Sequence, residues 1–165
     1  MSGKYTYVEH LIAPVYDENS KILILGSFPS VKSRQQLFFY GHPQNRFWKV
    51  IAGVEGCQVP ESVEEKKKML ISYKIAVWDV IEKCSIVGSS DNSIRDVRVN
   101  DFSEIFDNAD ICRIYANGGK AYELYMKYAF EKTGREIIKL PSTSPANAAW
   151  NLKKLIDAWS VIRSY

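Results

Sequence analysis

KILILGSFPS, residues 21 to 30, decides how the chain is read. The apolar run Ile22 to Leu25 ends in Gly26 and passes into a polar loop with a proline. A short unbroken apolar run closed by such a breaker reads as a buried strand. The same pattern returns in KIAVWDV (74–80), in ICRIYANGG (111–119), which breaks at Asn117-Gly118-Gly119, and in EIIKL (136–140). Helical segments lie between the strands. Phe47, Trp48, Val50, Ile51 and Val54 follow Asn45 at helical spacing. A second helix is expected over about 61–72, where EEKKK reads as a solvated face, and a third over 120–132. The last, 148–163, is amphipathic through Leu152, Leu155, Ile156, Trp159 and Ile162, with Ser144-Pro145 or Asn147 as its expected cap. Alternating strands and helices predict one α/β domain over residues 1–165: three layers, α/β/α, around a central, mostly parallel four-stranded sheet.

Such a sheet binds ligands outside the carboxyl ends of its strands. The segments leaving those ends are GSFPS (26–30), the stretch after Trp78-Asp79, ANGG (116–119) and PSTSPAN (141–147). All are short and polar, and the topology gathers them on one edge near GHPQNRF (41–47).

Composition narrows the classes. No apolar run of about 18 residues is present, so no membrane span is expected, and the first ten residues lack a secretory stretch. Three widely spaced cysteines, an odd number without a C-x-x-C pair, suit a reducing, cytoplasmic setting. A net charge of +3 gives only weak support for an anionic partner. Phosphate-binding P-loop, dinucleotide and nucleophile-elbow patterns are absent. His10 and His42, the only histidines, stand far apart with no cysteine near, which argues against zinc.

What remains is a ring of uncharged polar loops. Backbone N–H groups of GSFPS and PSTSPAN are suited to phosphates, with Arg46 as a cationic partner. Each residue also has a plain structural reading. Asn45 caps the following helix, Ser142, Thr143 and Ser144 form a turn, His42 is a loop histidine, Tyr40 is core or rim, and Asp79 caps a strand end or serves the site.

Four segments in order resemble the uracil-DNA glycosylase superfamily: GSFPS; FFYGHPQNRFW (38–48), whose GHPxNRFW is shared with the mismatch-specific uracil/thymine branch; WDVIEKCSIVGSSDNSI (78–94) with ANGGKAY (116–122); and LPSTSPAN (140–147), similar to the second active-site motif of the hypoxanthine-DNA glycosylase branch. The resemblance spans residues 22–150. It implies a central parallel sheet and monofunctional hydrolysis of a base–sugar bond in DNA, without metal or cofactor. The substrate would be DNA holding a deaminated base, with the enzyme a cytoplasmic monomer, nucleoid-associated in a prokaryote.

Phe28 departs from the family pattern, because it stands where relatives carry an Asn or a carboxylate in the first motif. Leu140 likewise replaces a leading Asn in the second. This weighs against uracil and leaves Asn45 as the catalytic residue the hypoxanthine branch implies. The resemblance further implies base contacts from Ser27, Phe28, Tyr40, His42 and Asn117, with Tyr40 as the stacking aromatic. DNA contacts are expected from Pro29, Ser30, Arg46, Ser142, Thr143, Ser144 and Asn147. The alternatives are a uracil-directed glycosylase, a lesion-binding module without catalysis, and a hydrolase of free nucleosides.

Overall fold

The computed structural model describes residues 3–164. In chain order the elements are β1 (Thr6–Glu9), β2 (Ile22–Gly26), α1 (Val31–Gln36), α2 (Phe47–Glu55), α3 (Val63–Ser72), β3 (Ile75–Asp79), β4 (Ile81–Ile86), β5 (Arg95–Val99), α4 (Ser103–Asn108), β6 (Arg113–Asn117), α5 (Gly119–Tyr128), α6 (Phe130–Thr133), β7 (Ile138–Leu140) and α7 (Leu152–Trp159). Single 3-10 turns cover Asp91–Ser93 and Ser160–Arg163.

The central sheet has the order β3-β2-β6-β7, and every pairing in it is parallel. Side chains alternate between its faces, as a pleated strand requires. Ile22, Ile24, Ile75, Val77, Tyr115 and Leu140 enter the core shared with α2, α3 and α7. Leu23, Leu25, Ala76, Ile114 and Ala116 enter the opposite core, shared with α4 and α5. Burial on both faces explains why the strands read as unbroken apolar runs. The chain runs from β2 outward to β3, then crosses to β6 and β7. The strand order therefore reverses between β2 and β6, where a crevice opens beyond Gly26 and Asn117.

A second sheet was not expected from the sequence. β1, β4 and β5 form an antiparallel trio in the order β1-β4-β5. β5 reads RDVRV and is largely solvent-facing, and β1 is exposed along most of its length. Only β4 buries a face, through Ile81, Cys84 and Ile86 against the second core. Its pairing with β5 is interrupted by register shifts, which blur the two-residue period. The stretch after Asp79 is consequently a strand rather than a free loop.

Two helices differ from their expected bounds. The helix over 120–132 is two pieces, α5 and α6, separated at Ala129. The C-terminal helix begins at Leu152 and gives way to a 3-10 turn at Ser160. Its cap is Asn151, whose side chain accepts from Lys154 N–H at 2.9 Å. Ser144 and Asn147 are engaged inside the preceding loop instead. Trp159 is fully buried, and its indole N–H donates to the Pro141 carbonyl at 2.9 Å. That bond ties α7 to the 141–147 loop. No helix among the described residues is long and apolar enough to cross a membrane.

Candidate active site

The crevice at the strand reversal holds a cavity of about 280 Å³. That is near the lower bound for small-molecule pockets, roughly 300 Å³, and leaves room for a nucleobase. It is lined by Ser27, Phe28, Pro29 and Ser30 after β2, by Tyr40, His42 and Asn45, by Asn117 after β6, and by Ser142, Thr143 and Ser144 after β7. All of these were expected from the sequence. Asp79, Asp91, Ser33, Ser89 and Phe39 line it as well. Arg46 and Asn147 do not line it.

One wall is built on Asn45. Its Oδ1 accepts the Phe47 backbone N–H at 2.9 Å and the Thr143 hydroxyl at 2.8 Å. The backbone donor fixes the amide orientation, because only the oxygen can accept. Thr143, fully buried, accepts in turn from Asn117 Nδ2 at 3.0 Å, and its own N–H donates to Asn117 Oδ1 at 3.0 Å. Asn45, Thr143 and Asn117 thus form one chain of hydrogen bonds joining three loops. The Asn45 Nδ2 group makes no hydrogen bond among the described residues. It is a donor left over at the cavity.

Arg46 does not stand free for a phosphate. Its guanidinium donates to the carbonyls of Thr143 at 3.4 Å, Ser144 at 2.8 Å and Asn147 at 3.2 Å, and to that of Trp150. Five donors in a rigid fork suit this task, gathering a loop around one cation. Asn147 completes the loop by donating to the Ser142 carbonyl at 3.0 Å. The hydroxyl oxygens of Ser142 and Ser144 accept from the N–H groups of Ser144 and Ala146. Those backbone donors are therefore occupied, and what the loop offers outward is the hydroxyl hydrogens.

The GSFPS loop is similarly committed. The Ser27 hydroxyl donates to Asp91 at 3.0 Å, and the Ser30 hydroxyl accepts from Ser33 N–H at 3.1 Å to cap α1. Phe28 is buried edge-on to His10, with centroids 6.0 Å apart. His42 Nδ1 accepts from Gln44 N–H at 3.1 Å, so the neutral ring carries its hydrogen on Nε2.

Tyr40 stacks on Phe47 with centroids 4.0 Å apart and planes 19° apart, in a left-handed backbone conformation with φ of 51°. Its hydroxyl is buried and makes no hydrogen bond of good geometry, although the Asn117 side chain stands within reach. Burial first, then the negative charge of Asp79, raises the phenol pKa far above its usual value, while Asn117 opposes the shift. The group is a fixed hydroxyl, not a phenolate.

Asp79 lines the cavity, and His10 stands behind it. Asp79 is 3% exposed and His10 7%, and His10 Nε2 lies 2.9 Å from Asp79 Oδ2 in a bent contact. His10 Nδ1 accepts from Ile12 N–H at 3.0 Å, which puts the ring hydrogen on Nε2, toward the carboxylate. Gly26, opposite Asp79 in the sheet register, leaves room for the site, since a Cβ there would collide with Asp79 Oδ1 and crowd the Tyr40 hydroxyl unless those side chains shifted. Asp91 stands at the rim, exposed on one side and crowded on the other. That crowding raises its carboxyl pKa, and Asp79 adds to the rise, against the Ser27 hydroxyl and Lys120. The sequence had flagged Asp79 as ambiguous and missed His10 and Asp91. His10 comes from just after β1, in the sheet that was not foreseen.

The chain matches proteins of known family. The family model of the uracil DNA glycosylase superfamily covers residues 13–163. Two curated relatives, both named hypoxanthine DNA glycosylase, come from Methanosarcina acetivorans and Methanosarcina barkeri. They are 37% and 33% identical, over 90% and 89% of this chain and 93% and 92% of their own lengths. A solution NMR structure of a Methanosarcina acetivorans protein, described as a candidate uracil DNA glycosylase, superposes with a TM-score of 0.78. It is 35% identical over 93% of this chain and 95% of its own. With the four motifs converging on one cavity, the chain belongs to the uracil DNA glycosylase superfamily.

Proposed function

We infer that this protein is a monofunctional DNA glycosylase that hydrolyses the N-glycosidic bond of a flipped deaminated base, hypoxanthine foremost, in base excision repair. The observation that carries the reading is the Asn45 amide. Its oxygen is locked by two donors, and its NH2 group is an uncommitted donor on a residue that lines the cavity. Two full-length relatives named for hypoxanthine support the choice of base.

The chemistry follows from what the groups can offer. A base inside a duplex is unreachable, so it must rotate out into the cavity. The Tyr40 ring, backed by Phe47, is a rigid platform for stacking. As the C1′–N bond lengthens, the sugar becomes cationic and the base anionic. A preorganised donor at the base strengthens its hydrogen bond as that charge develops. Asn45 Nδ2 is assigned this task. Water adds to C1′, and the base leaves and takes up a proton. The hydroxyls of Ser142 and Ser144 and the Nε2–H of His42 donate to flanking phosphates, with Pro29 and Ser30 shaping the approach. Thr143, Asn117, Arg46 and Asn147 hold the site rather than touch DNA. One chain completes the cavity, so a monomer acting in the cytoplasm suffices.

The test is excision from labelled duplexes holding one hypoxanthine, uracil, xanthine or no lesion, followed by alkali. Hypoxanthine is expected to be released, and Asn45→Ala to lower the single-turnover rate by about 100- to 1,000-fold. Release of uracil alone would move the chain to another branch. Lesion binding without release would make Phe28, at the family's usual catalytic position, the mark of a binding module.

A further inference from the structure

We propose that Asp91 takes the proton from the water that attacks the sugar, and so supplies from the turn after β4 a catalytic carboxylate that the GSFPS loop lacks. The inference rests on the glycosylase reading above and deepens it. As the C1′–N bond breaks, its electron pair leaves with the base and the water oxygen bonds to C1′. One of the two water hydrogens must then pass as a proton to an acceptor at the mouth of the cavity. Asn45 is not that acceptor, because its oxygen already holds two donors and an amide is a poor base. His42 is not either, since its Nδ1 holds the Gln44 N–H and its Nε2 carries the hydrogen. Phe28 brings no polar side-chain atom.

The position of Asp91 fits the task. A groove lined by Gly119, Lys139, Pro141, Asn147 and Trp150 adjoins the cavity, and the two share Asp91, Ser142, Ser144 and Ala146. With the base inside the cavity and the strand in the groove, C1′ lies at that shared edge. Two carboxylates line the cavity among the described residues, Asp79 and Asp91, and of these Asp91 alone also lines the groove. Its Oδ1 accepts the Ser27 hydroxyl at 3.0 Å, and its Oδ2 makes no hydrogen bond among the described residues. The turn that carries it is tied from several directions. Val31 N–H donates to Ser89 Oγ at 2.9 Å, the Arg34 guanidinium to the Gly88 carbonyl at 3.1 Å, and Val87 N–H to Ser93 Oγ at 2.8 Å. A turn held in this way presents its carboxylate in one place, as a group acting on a reacting water requires. An Asn would accept from Ser27 equally well through its own oxygen, without the charge that crowding and Asp79 oppose. The Ser27 contact alone therefore does not call for a carboxylate here.

The experiment compares Asp91→Asn with wild type in single-turnover excision from duplexes holding one hypoxanthine. The amide keeps an oxygen for Ser27 but cannot take up the proton. Its rate is expected to fall by about 100-fold or more. Affinity for a duplex holding an uncleavable 2′-fluorinated nucleotide of hypoxanthine should stay within about threefold of wild type, as for a group that acts only in the transition state. The wild-type rate should also drop on acidification as Asp91 is protonated, with a midpoint above the ordinary 3.8, and the variant should lack that drop. Asp79 and Lys120 face Asp91, and Tyr40 and Cys84 feel its charge. An acid limb that survives Asp91→Asn therefore belongs to another of these groups and overturns the proposal. So does a variant that excises within about tenfold of wild type, or one whose rate and affinity fall together. Release of hypoxanthine by the wild type alongside any of these results sinks only the role of Asp91. No release and no lesion binding by the wild type sinks the glycosylase reading as well.

Discussion

The two walls of the cavity are built on opposite terms. On the Asn45 wall nearly every polar atom is partnered: Asn45 Oδ1, Thr143, Asn117 and the Arg46 fork all hold protein groups. On the Asp79 wall the Tyr40 hydroxyl has no well-formed partner, and the Asp79 contact to His10 is bent. A buried polar atom without a partner is destabilising, and one that lines a cavity is a candidate contact for a ligand. The saturated wall sets geometry, and on the proposed function a base would find free donors on both walls, the Asn45 amide on the first and the Tyr40 hydroxyl on the second.

If the contrast is real, breaking the saturated wall lowers stability. Arg46→Met removes a partner from four carbonyls and is expected to lower unfolding free energy by about 3 kcal/mol, read from urea denaturation. Thr143→Val deletes the hydroxyl between two amides at nearly constant volume. A loss of about 1–2 kcal/mol is expected, with slower excision because Asn45 loses one of its two anchors, and Thr143→Ser should recover most of both. The unsaturated wall responds in the other direction. Tyr40→Phe removes an unpartnered buried hydroxyl, so stability rises by up to about 1 kcal/mol while excision falls. If that variant is less stable than wild type, the hydroxyl has a partner and the contrast fails.

The smallest effect concerns Asp91. Its folded-state pKa lies above the ordinary value of 3.8, so the folded chain binds more protons than the unfolded one between the two values. Stability therefore falls as pH rises through that window, and the deficit persists at neutral pH. Asp91→Asn is expected to raise the melting temperature slightly at pH 7. The gain should vanish well below pH 3.8, where the carboxyl is protonated in both states.

The central sheet was legible because doubly buried strands must be apolar throughout, and KILILG and KIAVWDV are. GHPQNRF was legible as a site because its resemblance was specific. The division of labour inside it was not: Arg46 looked like a phosphate ligand from local context, yet its partners are about a hundred residues away. The three-stranded sheet escaped for a different reason. β1 and β5 bury almost nothing, so hydrophobic periodicity has nothing to report there. With that sheet unseen, His10 was a lone histidine with no place to go.

Asn45 meets Thr143 across 98 residues, and Arg46 reaches Trp150 across 104. On a ribosome these pairs cannot form until almost the whole chain has emerged. Parallel strands with such distant pairings also fold slowly. A nascent or truncated chain ending before Pro141 would own GSFPS and GHPQN, yet it would have nothing to lock the Asn45 oxygen or gather the Arg46 fork. On the proposed role of Asn45, the ability to open a glycosidic bond therefore arrives late in synthesis.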